Sequence, residues 1–234
     1  MRRSDLIILA TFVVPVIALA QTAPGVKPSD TSRFTAMTSA TNAAGRNAQR
    51  SGTVQVLTPN SDEAAALKAA KLKSAGLQAT LNVYRKRHNL PSLNMEPVNR
   101  TLVPVLVVPV PALYSTFQII STRDHYILSG SDDLNGIVLT GTRVAVMLPK
   151  MGPVPPLDER SRYVLSQALS ASGASDPITD VSVTTTEDGA EASFRRYGAL
   201  YDLRLNCAKR NAPECSTETA LKLIAGAAVL GGGQ

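Results

Sequence analysis

Residues 125–140 read His-Tyr-Ile-Leu-Ser-Gly-Ser-Asp-Asp-Leu-Asn-Gly-Ile-Val-Leu-Thr. Two short runs of β-formers, 125–129 and 137–140, flank Asn135-Gly136. Both central positions of a type I′ turn need positive φ, which Asn and Gly tolerate, so this stretch predicts a β-hairpin. Working outward, residues 116–120 and 143–148 read as further strands of one antiparallel meander. Residues 102–110 are strongly apolar, but Pro104, Pro109 and Pro111 lack backbone donors. That segment is expected as an edge strand or extended piece, able to accept or donate a strand to a partner.

A second β block is expected over 179–186, 190–197 and 200–206, with a turn at Asp188-Gly189. Phe117 with Tyr126-Ile127-Leu128 resembles Phe194 with Tyr201-Asp202-Leu203, as a decayed duplication would. Common strand composition produces such a pattern too. Between the blocks, Pro149 to Pro156 is a stiff connection and residues 158–169 are expected to be a short helix. Ser216 caps a last helix expected to reach about Leu230, where Gly231-Gly232-Gly233 ends it.

Ahead of the β region, residues 61–88 have helical spacing. Asn60 or Ser61 can cap the first turn, where Asp62 and Glu63 favour the helix dipole. Leu67, Ala70, Ser74, Leu77, Leu81, Tyr84 and His88 fall on one stripe, and Gly76 can bend or split it. Residues 21–60 are rich in Thr, Ser, Ala, Asn and Gly, with little to bury, and are expected to be a disordered tether. Residues 1–20 have a signal-peptide pattern: Arg2-Arg3, an apolar run, and Ala18-Leu19-Ala20 before Gln21. The expected organisation is therefore a cleaved signal (1–20), a tether (21–60), an amphipathic basic helix (61–90) and a domain over 91–234. The fold class is α+β: two antiparallel β blocks with the C-terminal helix packed on them.

The apolar run is too short to span a bilayer, so a periplasmic or secreted protein is expected rather than an integral membrane one. In an oxidising compartment, Cys207 and Cys215, the only two cysteines, should form a structural disulfide. Their spacing does not suit a redox pair, and no histidine lies near enough to suggest zinc. With no Trp and few Phe and Tyr, a sugar-stacking face is unexpected.

Net charge is uneven along the chain. Residues 61–88 carry six basic and two acidic side chains, and residues 89–234 twelve basic and fourteen acidic. An electrostatic partner is expected at Arg85-Lys86-Arg87, with Lys68, Lys71 and Lys73 on the preceding turns. Nucleic acid does not fit an exported chain whose C-terminal bulk is slightly acidic. The serine-hydrolase elbow, the zinc-protease motif and the phosphate-binding loop are all missing, and no cofactor is expected. Residues 131–136 echo a calcium loop but fail at its first and twelfth ligands, Ser131 and Thr142.

Three readings follow. The first is a non-catalytic binding or adaptor protein of the cell envelope, contacting a protein or an anionic component. The second is an envelope-polymer hydrolase using His125 with Asp132 or Asp133. The third is a structural subunit that self-associates through the helix stripe.

Overall fold

The computed structural model describes residues 53–133, 135–147, 155–173, 178–209 and 212–234, all within one compact unit. The expected signal peptide, its Ala20-Gln21 cleavage point and the tether up to residue 52 lie outside the described residues. So does most of the proline-rich connection.

The chain is α+β. Strand β1 (Thr53–Val56) precedes helices α1 (Ser61–Lys71), α2 (Ser74–Arg87) and α3 (Glu96–Arg100). Then come β2 (Pro104–Val107), β3 (Gln118–Ser121), β4 (His125–Ser131), β5 (Asn135–Thr142), β6 (Val144–Met147) and α4 (Glu159–Ser172). The chain continues through β7 (Thr179–Thr186), β8 (Gly189–Arg196), β9 (Ala199–Cys207), α5 (Thr217–Gly226) and β10 (Ala228–Gly232). Six strands form the main sheet in the order β3-β4-β5-β9-β8-β7, every neighbouring pair antiparallel. Two smaller pairs, β1 with β6 and β2 with β10, complete the strand set.

The sheet consists of two three-stranded meanders with one frame. Ile119↔Leu128 and Leu128↔Leu139 in the first become Val183↔Ala192 and Ala192↔Leu203 in the second, 64 positions on. Leu139 pairs directly with Leu203, its own counterpart, so an approximate two-fold axis passes through that pair. Under this correspondence Tyr126 matches Ala190 and not Tyr201, so the Phe/Tyr-x-Leu likeness in the sequence is not the structural repeat.

Alternation along the strands decides which face is buried. Tyr126, Leu128, Ile137, Leu139, Ala190, Ala192, Phe194, Tyr201, Leu203 and Leu205 all point to one side and are buried. Helix α5 covers β7, β8 and β9 on that side, and α4 packs on α5. The β2–β10 pair lies over β5, with α1, α2 and α3 against β10.

Local signals account for most boundaries. Asn60 and Glu63 form a capping box on α1, Asp158 caps α4 through the Ser161 amide, and Ser216 caps α5 through the Thr219 amide. The Cys207–Cys215 disulfide is present, with Cα atoms 6.2 Å apart, and ties the end of β9 to the approach of α5.

Four expectations need correction. The helix over 61–88 breaks at Leu72-Lys73, where the Leu72 amide donates to the Ala69 carbonyl and the Lys73 amide to the Ala70 carbonyl, while Gly76 continues α2 with open space around it. His88, placed on the buried stripe by its spacing, is exposed at the end of α2. The turn before β5 sits two residues earlier than Asn135-Gly136, because the Asp132 carboxylate accepts the Asn135 amide at 2.7 Å. The last helix stops at Gly226 instead of Leu230. A Cβ there would lie 2.9 Å from Pro109, and Val229 and Leu230 gain more as a buried strand beside β2.

The proline-rich segment does form an edge strand, paired only with β10 among the described residues, but a buried one. All four residues of β2 are buried. On the side away from β10, the Leu106 amide donates to the Tyr126 hydroxyl at 3.0 Å and the Tyr201 hydroxyl donates to the Pro104 carbonyl at 3.0 Å. Those two phenols take up one donor and one acceptor on the side where a neighbouring strand would lie.

Candidate functional site

Among the described residues, the outward face of the six-stranded sheet carries exposed and partly exposed side chains across all six strands. The helices that touch the main sheet most, α5 and α3, meet β7–β9 and β3, and α5 lies on the buried side. Six strands at about 4.8 Å spacing make the face about 25–30 Å wide.

Its rows can be read from the register. One runs Ile120–Ile127–Thr140–Asp202–Ser193–Ser182 and the next Gln118–Ser129–Val138–Arg204–Glu191–Thr184. The β3–β5 half is apolar and hydroxylated, with Ile120 69% exposed and Ile127 and Val138 partly exposed. The β7–β9 half is charged and internally matched. Ser193 donates to Asp202 at 2.6 Å, and Arg204 pairs with Glu191 at 3.0 Å. Arg195, at the end of the same face, meets Glu63 of α1 at 3.5 Å.

His125 lies at one end of this face, opposite Thr142, and is partly exposed. Burial lowers its pKa below the ordinary imidazole value. Asp132 and Asp133 follow the far end of β4, about 20 Å away at strand rise. The fold therefore does not bring the three residues of the hydrolase reading together. Asp124, next to His125, uses its backbone carbonyl to accept Arg143 N–H and the Thr142 hydroxyl.

The basic helix residues are unevenly available. Arg85 is occupied inside the fold: its guanidinium donates to the carbonyls of Pro91 at 2.7 Å, Phe117 at 3.0 Å and Ser115 at 3.4 Å. Arg87 lies over the Tyr84 ring at 5.6 Å. Lys86, Lys68 and Lys73 are exposed. Lys71 donates to the Gly233 carbonyl at 2.8 Å, and its pKa is lowered by burial and then by the charge of Arg143.

Sequence reasoning missed the open face as a unit, although its signal is there. Glu191, Ser193 and Arg195 alternate with Ala190, Ala192 and Phe194, as one wet and one dry side require. Two surface recesses accompany it, one beside Glu96, Arg100 and Arg123, the other beside Asp158, Ser161 and Ser216. Most of their polar groups have partners within the fold: Glu96 pairs with Arg100, Asp158 caps Ser161, and Ser216 caps Thr219. Among the described residues no three His, Cys, Asp or Glu side chains gather as a metal site, and no helix is long and apolar enough to cross a membrane. In comparisons with family models, curated proteins and solved structures, the chain matches none.

Proposed function

We propose that the chain is an exported, periplasmic or secreted, non-catalytic binding protein of the cell envelope that docks a protein partner on the open face of its six-stranded sheet. The observation that carries this reading is the face itself: one side of the sheet holds the whole core, while the other presents Ile120, Ile127 and Val138 beside a charged half. Apolar side chains next to fixed, alternating charges suit a protein surface better than a uniformly anionic polymer. An anionic component would instead rely on the basic helix, where Arg85 is held by three carbonyls and Lys71 by a fourth. The subunit reading has lost its contact, since Leu67 and Leu81 of the stripe belong to the chain's own core. The hydrolase reading has to act across about 20 Å of strand. The disulfide supports export into an oxidising compartment.

The test is crosslinked co-purification of the tagged chain from its native envelope. Two variants are compared with the parent: Ile127→Glu with Val138→Glu on the face, and Lys68→Glu with Lys86→Glu on the helices. Loss of one partner with the face variant only is expected. Loss with the helix variant only would move the site to the basic surface, and turnover of an envelope polymer abolished by His125→Ala would replace binding with hydrolysis.

A further inference from the structure

Away from the main sheet, the ribbon made by β1 and β6 has two unlike edges. The Leu57 amide donates to the Arg143 carbonyl at 2.7 Å, one step beyond the Val56↔Val144 pair. Ladder alternation then turns the Gln55 backbone toward β6, opposite Ala145, and turns the N–H and C=O groups of Val54 and Val56 away from it. On the β6 side the Thr142 hydroxyl closes over Val144, accepting its N–H at 3.0 Å and donating to its carbonyl at 3.4 Å. On the β1 side, among the described residues, no group bonds to the outward backbone of Val54 or Val56. Their side chains are bare as well: Val54 is 51% exposed, Val56 64%, and Val144, opposite Val56 on the same face, 38%. Residues 53–57 read Thr-Val-Gln-Val-Leu, without the charges or proline that ordinarily keep an edge from pairing. Other edges are better guarded. At the two ends of β3, Arg85 takes the Phe117 carbonyl and the Leu102 amide takes the Arg123 carbonyl.

A two-stranded ribbon with a wet apolar face is marginal by itself, and three or more strands are needed to make such a face stable. We propose that β1 pairs with β1 of a second copy of this chain, antiparallel about a two-fold axis at Gln55, joining two ribbons into one four-stranded sheet. The occupant follows from the edge. Its open groups sit at two positions two residues apart, and a reversed copy of the same strand presents the same spacing. Val54 then lies opposite the partner's Val56, and Val56 opposite the partner's Val54, so four backbone hydrogen bonds form and no open group is left over. The exposed valines of both copies fall on one face, and no charge in either strand meets a like charge. Four residues a side is far below the roughly 20–30 of a stable complex, so the dimer is a weak one, with Kd on the order of 0.1–1 mM. This contact uses neither the open face of the main sheet nor the helix stripe, and it and the open-face reading can each fail without the other.

The experiment is disulfide trapping in the purified full chain, whose own two cysteines are already bridged. Gln55→Cys is expected to crosslink at least about tenfold faster than Val54→Cys or Val56→Cys alone, because only residue 55 meets its own copy, with Cα atoms about 4.5 Å apart. Mixing the Val54→Cys and Val56→Cys chains should restore a crosslink between the two. Sedimentation equilibrium of the parent should show monomer and dimer interconverting with concentration. Val54→Lys with Val56→Lys sets like charges opposite each other and should weaken that dimer at least about tenfold. All three positions are exposed, so Tm should stay within about 2 °C of the parent in every variant. Equal crosslinking at positions 54, 55 and 56 would overturn the proposal, as would an undiminished dimer in the lysine variant. A parent that stays monomeric at about 1 mM would overturn it too, and would leave the edge to a strand from another protein.

Discussion

In the β3–β4–β5 block β4 faces the core with the large Tyr126 and Leu128, while Gly130 and Gly141 present no side chain. In the β7–β8–β9 block, 64 positions on, Ala190 and Ala192 are small where those two are large, and Phe194 and Leu205 are large where the glycines stand. Strand frame, hairpin lengths and inward positions agree, but side-chain volume is inverted at these four positions and kept at Ile137/Tyr201 and Leu139/Leu203. What each block carries explains the inversion. Helix α5 lies on β7–β9 and needs small residues beneath it, whereas the first block holds rings over its own glycines. A Cβ at Gly130 would come within 2.6 Å of the Phe117 ring. Between residues 118–142 and 182–206 the only identical counterparts are Thr122/Thr186, Asp124/Asp188, Ser129/Ser193 and Leu139/Leu203. Backbone geometry is thus set by where the chain turns, and packing by what must fit on top.

The pair on the approximate two-fold axis gives the strongest test of that equivalence. Leu139→Ala and Leu203→Ala should each cost about 3–4 kcal/mol in urea unfolding. The double variant should be non-additive, since the two residues are cross-strand neighbours. If one costs under about 1 kcal/mol, the blocks are not equivalent at the axis. The disulfide belongs to the second block alone. Reducing it should cost about 2–3 kcal/mol, and hydrogen exchange should rise first around β9 and the start of α5. Uniform loosening of both blocks would make the bridge a property of the whole sheet.

Glycines sharpen the packing side of the comparison. Gly141→Ala should cost about 2 kcal/mol, because its Cβ enters the Tyr126 and Tyr201 rings. Gly136→Ala on the open face, with its nearest heavy atom at 3.9 Å, should change stability by under about 0.5 kcal/mol. Equal costs would mean that β5 is limited by backbone and not by the rings.

The smallest effect is electrostatic. His125 has Gly189 as its counterpart, so only the first block titrates here. Burial lowers the folded pKa of His125 below that of the unfolded chain, so the unfolded state takes up the proton first. Stability should be intact above about pH 6.5, decline as pH falls below it, and level off beneath the folded pKa. His125→Gln should flatten that slope in unfolding curves taken between pH 7 and pH 5. An unchanged slope would place its origin elsewhere.

What could be read from the sequence was whatever its own neighbours decide. The caps at Asn60, Asp158 and Ser216, the strands of both blocks and the Cys207–Cys215 bridge rest on contacts a few residues apart. What escaped depends on distant pairing. Ala228-Val229-Leu230 suits a helix as well as a strand, and only β2, over a hundred residues earlier, decides between them. Asn135-Gly136 is a strong turn signal defeated by an aspartate three residues before Asn135. The two-fold relation lies in register, which composition does not record. Of the sites, Arg85 looked available because nothing in its surroundings announces the carbonyls of Pro91, Ser115 and Phe117.

The place of β10 has a consequence in time. Among the described residues it is the only strand paired with β2, and α2 and α1 are fastened to Leu230 and Gly233 through Gln78 and Lys71. Residues 228–233 are therefore the latch of these N-terminal elements, yet they are the last of this framework to leave a ribosome. Until they arrive, Val105, Leu106 and Val107 have no strand to close over them. The chain must stay unlatched until then, the stage at which its exposure to proteases and holding chaperones is greatest.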